Sequence, residues 1–414
     1  MKKLKRPYFI AIISIIGLFH ACQTPSETEI LKEGPWRGVF KLPEAEIPFQ
    51  FEAKQDTSGN TILFLINADD KFKIDDVKYN NDSVIATIDI YNITLQAKID
   101  GNYLYGNLIR KGSTDKNNAI PFSAEYGKLP RFATSTQTPV IWLTGTWDIK
   151  FGKDENIKNT VGIFNQKESL LTGSILTTTG DYRFLEGAVN ANKFALSSFG
   201  GLSPYLLQGE FINDSTFTGK FITPRTTVEI SGKKNPKAAL PNAYNVTYLK
   251  EGYSTLGFSF PNLEGKQVSL SDPKYKNKVV IVTILGSWCP NCLDESKFLA
   301  QWYKYNHERG VEIIGLGFER KNDFNYASKV LTSLKNRIGI DYEILFAGQT
   351  GKENVAKALP EINGFASFPT TIFIDKKGVI RKIHSGFNGP ATGKFYDEYK
   401  TEFNSLIDEL LAEK

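Results

Sequence analysis

The sequence predicts an all-β N-terminal half followed by a C-terminal α/β domain. From about residue 34 to 232, short runs of alternating apolar and polar residues are separated by Gly, Asn and Asp turns, and helical periodicity is nearly absent. After Ser254, strand-like and helix-like segments alternate, which is typical of a parallel or mixed sheet covered by helices. A chain of 414 residues is also too long for one compact core, so we expect more than one domain.

The first 21 residues predict a secretory signal peptide. An apolar run at 8–19 follows four basic residues, Lys2, Lys3, Lys5 and Arg6. The run is too short to cross a hydrocarbon core of ~30 Å comfortably, which favours a cleaved signal over a membrane span. The residues before Cys22 resemble a bacterial lipobox, and this resemblance implies cleavage before Cys22, lipidation of its thiol and a tether over 22–33. The alternative is a secreted protein with a free thiol.

Charge and cysteine content narrow the function further. The formal net charge is +5, and removal of the four basic residues of the signal leaves +1, so no basic field indicates nucleic-acid binding. Lipidation of Cys22 would leave Cys289 and Cys292 as the remaining cysteines. In an exported protein, such a pair is either a single local bridge or an active site.

Two similar β modules are predicted, at 34–127 and 143–232. Trp36 is matched by Trp147 at an offset of 111, and Gly106 is matched by Gly219 at an offset of 113. Two matched residue pairs at nearly the same sequence offset indicate a duplicated unit. We expect each copy to be a small antiparallel barrel or sandwich of about six to eight strands.

The opening tryptophan of each module and the connecting segments have simple interpretations. Trp36 and Trp147 are expected to plug one end of their modules, although an aromatic residue at a strand start can also bind a ligand. The stretches 128–139 and 231–243 contain the Pro, Gly and Lys residues that are typical of linkers.

The C-terminal domain is predicted over 254–414. Val279 to Leu285 is an unbroken run rich in β-branched residues, as in a strand buried on both faces, and Cys289 follows it directly. The other predicted strands are 311–318, 342–346, 371–375 and 379–385. The predicted helices are 293–305, 322–337 and 392–411.

The cysteines therefore lie at a strand-to-helix junction, where unpaired backbone N–H groups and the positive end of the helix dipole favour thiolate over thiol. Cys289 is expected to be the acidified nucleophile. Cys292, one helical turn later, is close enough to attack a mixed disulfide and to release the substrate.

Other uses of a Cys-x2-Cys pair are less favoured. A zinc site needs further ligands, and neither His307 nor His384 has a second histidine within reach. A purely structural bridge between near neighbours would constrain the unfolded chain little. No histidine follows Cys292, which excludes c-type haem attachment. We expect no metal and no cofactor.

Two motifs give a resemblance to a known family. SWCPNCLDE directly after VVIVTIL, with FPTTIFID about 80 residues later, resembles the thioredoxin superfamily and, within it, the exported TlpA/ResA-like group. The resemblance implies a thioredoxin-like fold for 254–414. It also implies a cis Pro369 that faces the disulfide, with Trp288, Phe368 and Thr370 beside it in a substrate-binding surface. The alternative is an ordinary trans proline at the start of a strand.

The resemblance also implies a proton-transfer role for Glu295. Glu295 matches an acidic residue that the group places three positions after the second cysteine, which implies that it exchanges a proton with Cys292. The alternative is an exposed acid in the first turns of the helix. Glu319, at the end of the next predicted strand, is a second candidate.

The implied function is a membrane-anchored periplasmic thiol-disulfide oxidoreductase. Its expected partners are disulfide-containing exported proteins, with apocytochrome c as one family-suggested target, and a membrane thiol transporter that supplies reductant. The family commonly has proline before the second cysteine, whereas Asn291 stands here, so the redox direction stays open. Alternatives are a disulfide oxidant or isomerase in the same fold, or β modules that bind a partner or glycan beside an accessory redox domain.

Overall fold

A computed structural model describes residues 29–110, 119–133, 139, 141–152 and 158–413. The predicted signal peptide, Cys22 and the first part of the tether lie outside the described residues. Within these ranges, every helix is too short or too polar to cross a bilayer.

The first β module is one antiparallel sheet that curls into a nearly closed barrel. Its strand order is β4-β3-β2-β1-β9-β8-β7-β6-β5, and in the described residues the two edge strands are not paired with each other. The strands are β1 Gly34–Lys41, β2 Glu46–Gln55, β3 Thr61–Asn67, β4 Asp70–Ile74, β5 Asp76–Asn80, β6 Ser83–Ile88, β7 Ile93–Asp100, β8 Tyr103–Arg110 and β9 Ala119–Tyr126.

The second β module repeats this order and closes. Its strand order is β11-β10-β18-β17-β16-β15-β14-β12-β13, and an additional pairing of β11 with β12 completes the ring. The strands are β10 Gly145–Phe151, β11 Lys158–Lys167, β12 Leu170–Thr177, β13 Gly180–Asp181, β14 Leu185–Asn190, β15 Lys193–Ser198, β16 Tyr205–Asn213, β17 Thr216–Ile222 and β18 Thr227–Lys234.

The predicted all-β class is confirmed, and the predicted strand number is too low. Among the described residues, each sheet contains nine strands. The sequence pattern did not resolve the short strands β4, β5 and β13, because too few residues separate them from their neighbours. The stretch predicted as a linker from residue 231 begins inside β18, which stays paired with β10 up to Lys234. In the preceding linker, Arg131 is buried between the barrels and donates to Ile66 O.

Both opening tryptophans are core residues. Trp36 Nε1 donates to Lys32 O (2.9 Å), and Trp147 Nε1 donates to Leu143 O (2.7 Å). Both rings are fully buried against aromatic neighbours. Burial of the indole with its N–H satisfied is the arrangement expected of a plug rather than of a ligand site.

The C-terminal domain is built on a five-stranded mixed sheet of order β24-β23-β22-β26-β27. The strands β22, β23 and β24 are parallel, and β26 and β27 are antiparallel to their neighbours. These strands are β22 Val279–Leu285, β23 Val311–Glu319, β24 Glu343–Gln349, β26 Thr370–Ile374 and β27 Ile380–Ser385. The helices are α1 Pro290–Asn306, α2 Phe324–Ile338, α3 Lys352–Ala358 and α4 Lys394–Ala412.

The prediction missed two features of this domain. Helix α3 is too short to show a helical period. The segment before residue 254 already belongs to the domain in its contacts, since β19 Tyr248–Leu249 pairs with β25 Ile362–Asn363. A further small hairpin joins β20 Ser259–Pro261 to β21 Gln267–Ser269.

Candidate active site

The two cysteines lie where the buried central strand β22 leads into α1. Cys289 is the N-cap of α1, and its Sγ accepts a hydrogen bond from the N–H of Cys292 (3.2 Å). The two sulfurs form a disulfide. Cys289 is 5% exposed and Cys292 is 0% exposed. The free N–H groups of the first turn favour the anionic form of a sulfur at an N-cap, and the role of Cys289 as the nucleophile stays a prediction.

The loop before β26 lies against the disulfide. The peptide bond between Phe368 and Pro369 is cis, as the resemblance implies. Cys289 Sγ lies 3.6 Å from Phe368 O, and Thr370 is buried at the start of β26. The carbonyl of Pro369 accepts from Gly386 N–H (2.8 Å), which ties this loop to the end of β27.

Aromatic side chains enclose one side of the disulfide. Trp288 packs edge-to-face on Phe368, with ring centroids 5.2 Å apart. Its Nε1 donates to Phe318 O (2.9 Å). Both side chains stay partly exposed. Of the predicted substrate surface, Trp288 and Phe368 are therefore partly exposed, whereas Pro369 and Thr370 are buried, and the role of all four in binding stays a prediction.

Glu295 is buried rather than exposed. It lies on α1, is 1% exposed and accepts hydrogen bonds from the hydroxyls of Thr283 and Thr371, each at 2.6 Å. Burial raises the pKa of Glu295 to about 7, although both hydroxyl bonds act in the opposite direction. A carboxyl that titrates near neutrality can take up and release a proton under physiological conditions.

Glu319 is a second buried carboxyl, on the other side of the loop that precedes the cysteines. It ends β23 and accepts from Ser287 twice, from the backbone N–H (2.8 Å) and from the hydroxyl (2.9 Å). Burial raises its pKa to about 7, against the effect of these bonds. Glu319 therefore holds the Gly286–Trp288 loop in place.

Thr283, Thr371 and Ser287 were not singled out from the sequence. Thr283 is the single polar residue in the run VVIVTIL, and Thr371 is its direct cross-strand partner. A hydroxyl inside a strand buried on both faces needs a hydrogen-bond partner, so the sequence position of Thr283 indicates a buried acceptor nearby. Its pairing with Thr371 depends on strand register, which the sequence alone does not specify.

The histidines that were weighed as zinc ligands have other contacts. The Nδ1 of His307 lies 3.1 Å from Tyr303 O, and the Nδ1 of His384 lies 3.1 Å from Gly386 O. Burial lowers the pKa of His384 to about 4. Among the described residues, no three His, Cys, Asp or Glu side chains are grouped as they would be around a metal ion.

Comparison with known proteins supports the same chemistry. The model of the Redoxin family matches residues 239–398. The thiol-disulfide oxidoreductase ResA of Geobacillus thermodenitrificans is 29% identical over 142 residues, which cover 34% of this chain and 72% of ResA. The ResA of Bacillus subtilis is 24% identical over 139 residues, covering 33% and 69%.

Two solved structures are also similar. A thiol:disulfide interchange protein of the thioredoxin family from Chlorobium tepidum is 20% identical, with a TM-score of 0.30, and covers 42% of this chain and 99% of its own. A thiol-disulfide isomerase from Corynebacterium glutamicum is 18% identical, with a TM-score of 0.32, and covers 40% and 100%. The Redoxin match over residues 239–398 and the ResA relatives, together with the fold, support a thioredoxin-superfamily, TlpA/ResA-like thiol-disulfide oxidoreductase domain at the C-terminus, which two β barrels precede.

Proposed function

We propose that the protein is anchored to a membrane through lipidated Cys22 and works in the periplasm, where Cys289 and Cys292 reduce or exchange disulfides of exported proteins. One observation carries this proposal: Cys289 caps α1 beside the partly exposed Phe368 and its carbonyl, which precedes cis Pro369, with Cys292 bonded to it. This arrangement gives one attackable sulfur, one resolving sulfur and backbone groups that can hold an extended client segment.

The reaction has two exchange steps. The thiolate of reduced Cys289 attacks one sulfur of the client disulfide, which breaks that bond and releases the client's other sulfur as a thiolate. The thiolate of Cys292 then attacks Cys289, forms the Cys289–Cys292 disulfide and releases the second client sulfur, which takes up a proton. Two electrons pass to the client, and a membrane thiol transporter restores the dithiol.

Glu295 supplies the proton path in this proposal. It lies one helical turn after Cys292 and is buried between α1 and the sheet. It can therefore accept the proton of Cys292 during resolution and return it later. Glu319 has a positioning role, since both of its oxygens are bonded to Ser287.

Trapping of clients tests the function. In the Cys292→Ser variant, the resolving step is lost, so client proteins should accumulate as mixed disulfides on Cys289. The Cys289→Ser variant is the matched control and should trap nothing. If the two variants trap the same proteins in the same amounts, or if the wild-type full-length protein reduces no disulfide at all, the proposed function is wrong.

The roles of Glu295 and Glu319 are distinguished by replacing each with glutamine. Glu295→Gln should slow release of the trapped client by about a hundredfold, the usual size of a general acid–base contribution, and should flatten its pH dependence near neutrality. Formation of the mixed disulfide should stay unchanged. Glu319→Gln, which keeps the shape of the side chain, should leave the pH profile of release in place. The reverse pattern would transfer the proton role to Glu319.

A further inference from the structure

A turn of the second barrel lies against the disulfide site. The turn joins β12 to β13 and comprises Thr177 to Gly180. A Cβ built on Gly180 would lie 1.8 Å from Nδ2 of Asn291, which stands between the two cysteines. A Cβ built on Gly386 would lie 2.8 Å from the carbonyl carbon of Thr179. The turn therefore contacts the first turn of α1 and the loop after β27, whose Gly386 N–H donates to the Pro369 carbonyl.

An ion-pair cluster holds this turn in place. Arg183, which is 6% exposed, donates from Nε (2.6 Å) and Nη2 (3.0 Å) to the carboxylate of Asp294 on α1. Its Nη2 also lies 3.3 Å from the carboxylate of Asp70 in the first barrel. A bidentate pair of this kind has a defined geometry, so the guanidinium fixes the second barrel relative to the helix that carries the cysteines.

A second contact strengthens the attachment. Asp181, directly after the turn, accepts from Gly389 N–H (2.6 Å) and from the N–H of Arg183. Gly389 follows Gly386 in the same loop of the redox domain. The residues directly after the turn are thus bonded both to α1 and to the loop after β27.

A cleft begins at the same point. It has a volume of about 940 Å³ and is lined mainly by β10, β11 and the turn of the second barrel, together with Asn291 and the segment at Ala239 to Pro241. The side chains of Thr178 and Thr179 are exposed along it. Asn291 is the residue of α1 in the lining, so the cleft opens from the position between the two cysteines, and a chain bound at the disulfide can continue into it.

We infer that the turn 177–180 is a wall of the client site that makes the enzyme selective for disulfides in extended, flexible segments over disulfides on the surface of folded proteins. The inference rests on the proposed function and adds the shape of its substrate. A thin segment can follow the cleft past Asn291, whereas a broad folded surface meets the turn before its sulfur reaches Cys289. Specificity of this kind comes from a clash with the wrong partner. Arg183 is the positioning residue for the wall.

The test compares three disulfides on the full-length protein: insulin, an unstructured peptide carrying one disulfide, and the small aromatic disulfide dithiobis-nitrobenzoate. Arg183→Met leaves Asp70 without its cation and leaves Asp294 with Lys297 alone, and should release the turn. We expect kcat/KM for insulin to rise about tenfold, equivalent to about 1.4 kcal/mol in the barrier, while the rate with the aromatic disulfide stays unchanged. Faster hydrogen exchange of residues 177–183 would show that the turn has been released.

A matched control and a second variant keep the test decisive. Arg337→Met removes an arginine that bonds Lys73 O and Asp75 of the first barrel, away from the cysteines. It should leave the ratios of kcat/KM among the three disulfides unchanged. Thr178→Trp places a large ring in the cleft at an exposed position and should lower kcat/KM for the peptide about tenfold, with the aromatic disulfide again unaffected. If Arg183→Met does not fold, Thr178→Trp decides.

The outcomes are separable. A wild-type protein that reduces none of the three disulfides contradicts the proposed function itself. A wild-type protein that reduces them, with ratios that neither Arg183→Met nor Thr178→Trp alters, overturns the wall and leaves the oxidoreductase function standing.

Discussion

The two barrels share one strand plan and differ in closure and in what their turns contact. Strands β1 to β9 of the first correspond in order to β10 to β18 of the second. In the second barrel, β12 pairs with β14 from Leu170 to Gly173 and the ring closes. The corresponding strands β3 and β5 are not paired in the described part of the first barrel. Duplication has therefore kept the core of the unit while its edge changed.

The corresponding turns of the two barrels meet at one place. The turn from β3 to β4 places Asp70 next to Arg183, and the turn from β12 to β13 places Gly180 against Asn291. The first barrel also binds α2, through Arg337 and Ser333 of that helix. One copy thus contacts α2 of the redox domain, and the other contacts Asn291, between its two cysteines. The second copy makes this contact through a turn, a part of the barrel in which sequence changes leave the core undisturbed.

Removal of the plugs is the most severe test of the shared plan. Trp36→Ala and Trp147→Ala should each cost about 3–5 kcal/mol, as is usual for a large buried aromatic residue. Hydrogen exchange resolved by barrel is the suitable measurement, because a chain of three domains does not unfold in one step. The exchange of the other barrel should stay unchanged. If either substitution costs about 1 kcal/mol or less, the two tryptophans are not equivalent plugs.

The aspartates of the two turns provide the second test. Burial raises the pKa of Asp181 to about 6 from 3.8, with Asp294 raising it further and with Gly389 N–H and Arg183 lowering it. A folded-state pKa above the unfolded value means that the stabilising contribution is complete below about pH 4 and is lost as the pH rises through 6. A difference of about two units corresponds to about 3 kcal/mol.

Hydrogen exchange of the second barrel, compared between the wild type and Asp181→Asn from pH 4 to pH 8, measures this effect. The asparagine variant should lack the decline between about pH 4 and pH 6, since its side chain does not ionise. Asp70→Asn is the matched control in the first barrel and should keep the decline. A wild type and an Asp181→Asn variant with parallel profiles would contradict the assignment.

Particular residues show what the sequence could and could not predict. The Cys289–Cys292 site and the position of Pro369 were predictable because local motifs encode them, and the duplicated Trp and Gly signals identified the repeat. The attachment of the second barrel was not predictable. Arg183 and Asp294 are 111 positions apart, and their contact depends on the relative placement of two domains, which no local pattern specifies. Closure of one barrel and not the other has the same origin, since it depends on pairing between non-neighbouring strands.

The matched glycines Gly106 and Gly219 test whether closure of the barrel has a mechanical effect, and the expected change in stability is the smallest of the three tests. A Cβ on Gly106 would lie 2.1 Å from Gln96 O, and a Cβ on Gly219 would lie 2.1 Å from Gln208 O, so alanine creates the same clash in both barrels. Overpacking of this kind costs about 1–3 kcal/mol. The first barrel can relax by spreading at its unpaired edge, whereas the ring of the second cannot.

Gly219→Ala should therefore cost more than Gly106→Ala, with the first value near about 3 kcal/mol and the second near about 1 kcal/mol. Hydrogen exchange should show the strain of Gly106→Ala appearing at β4 and β5, the open edge, rather than at the substituted strand. In Gly219→Ala the strain should stay in β16 and β17, because the ring does not let it spread. Equal costs with local effects in both barrels would mean that the missing pairing between β3 and β5 leaves the first barrel as stiff as the second, and closure would then have no mechanical consequence.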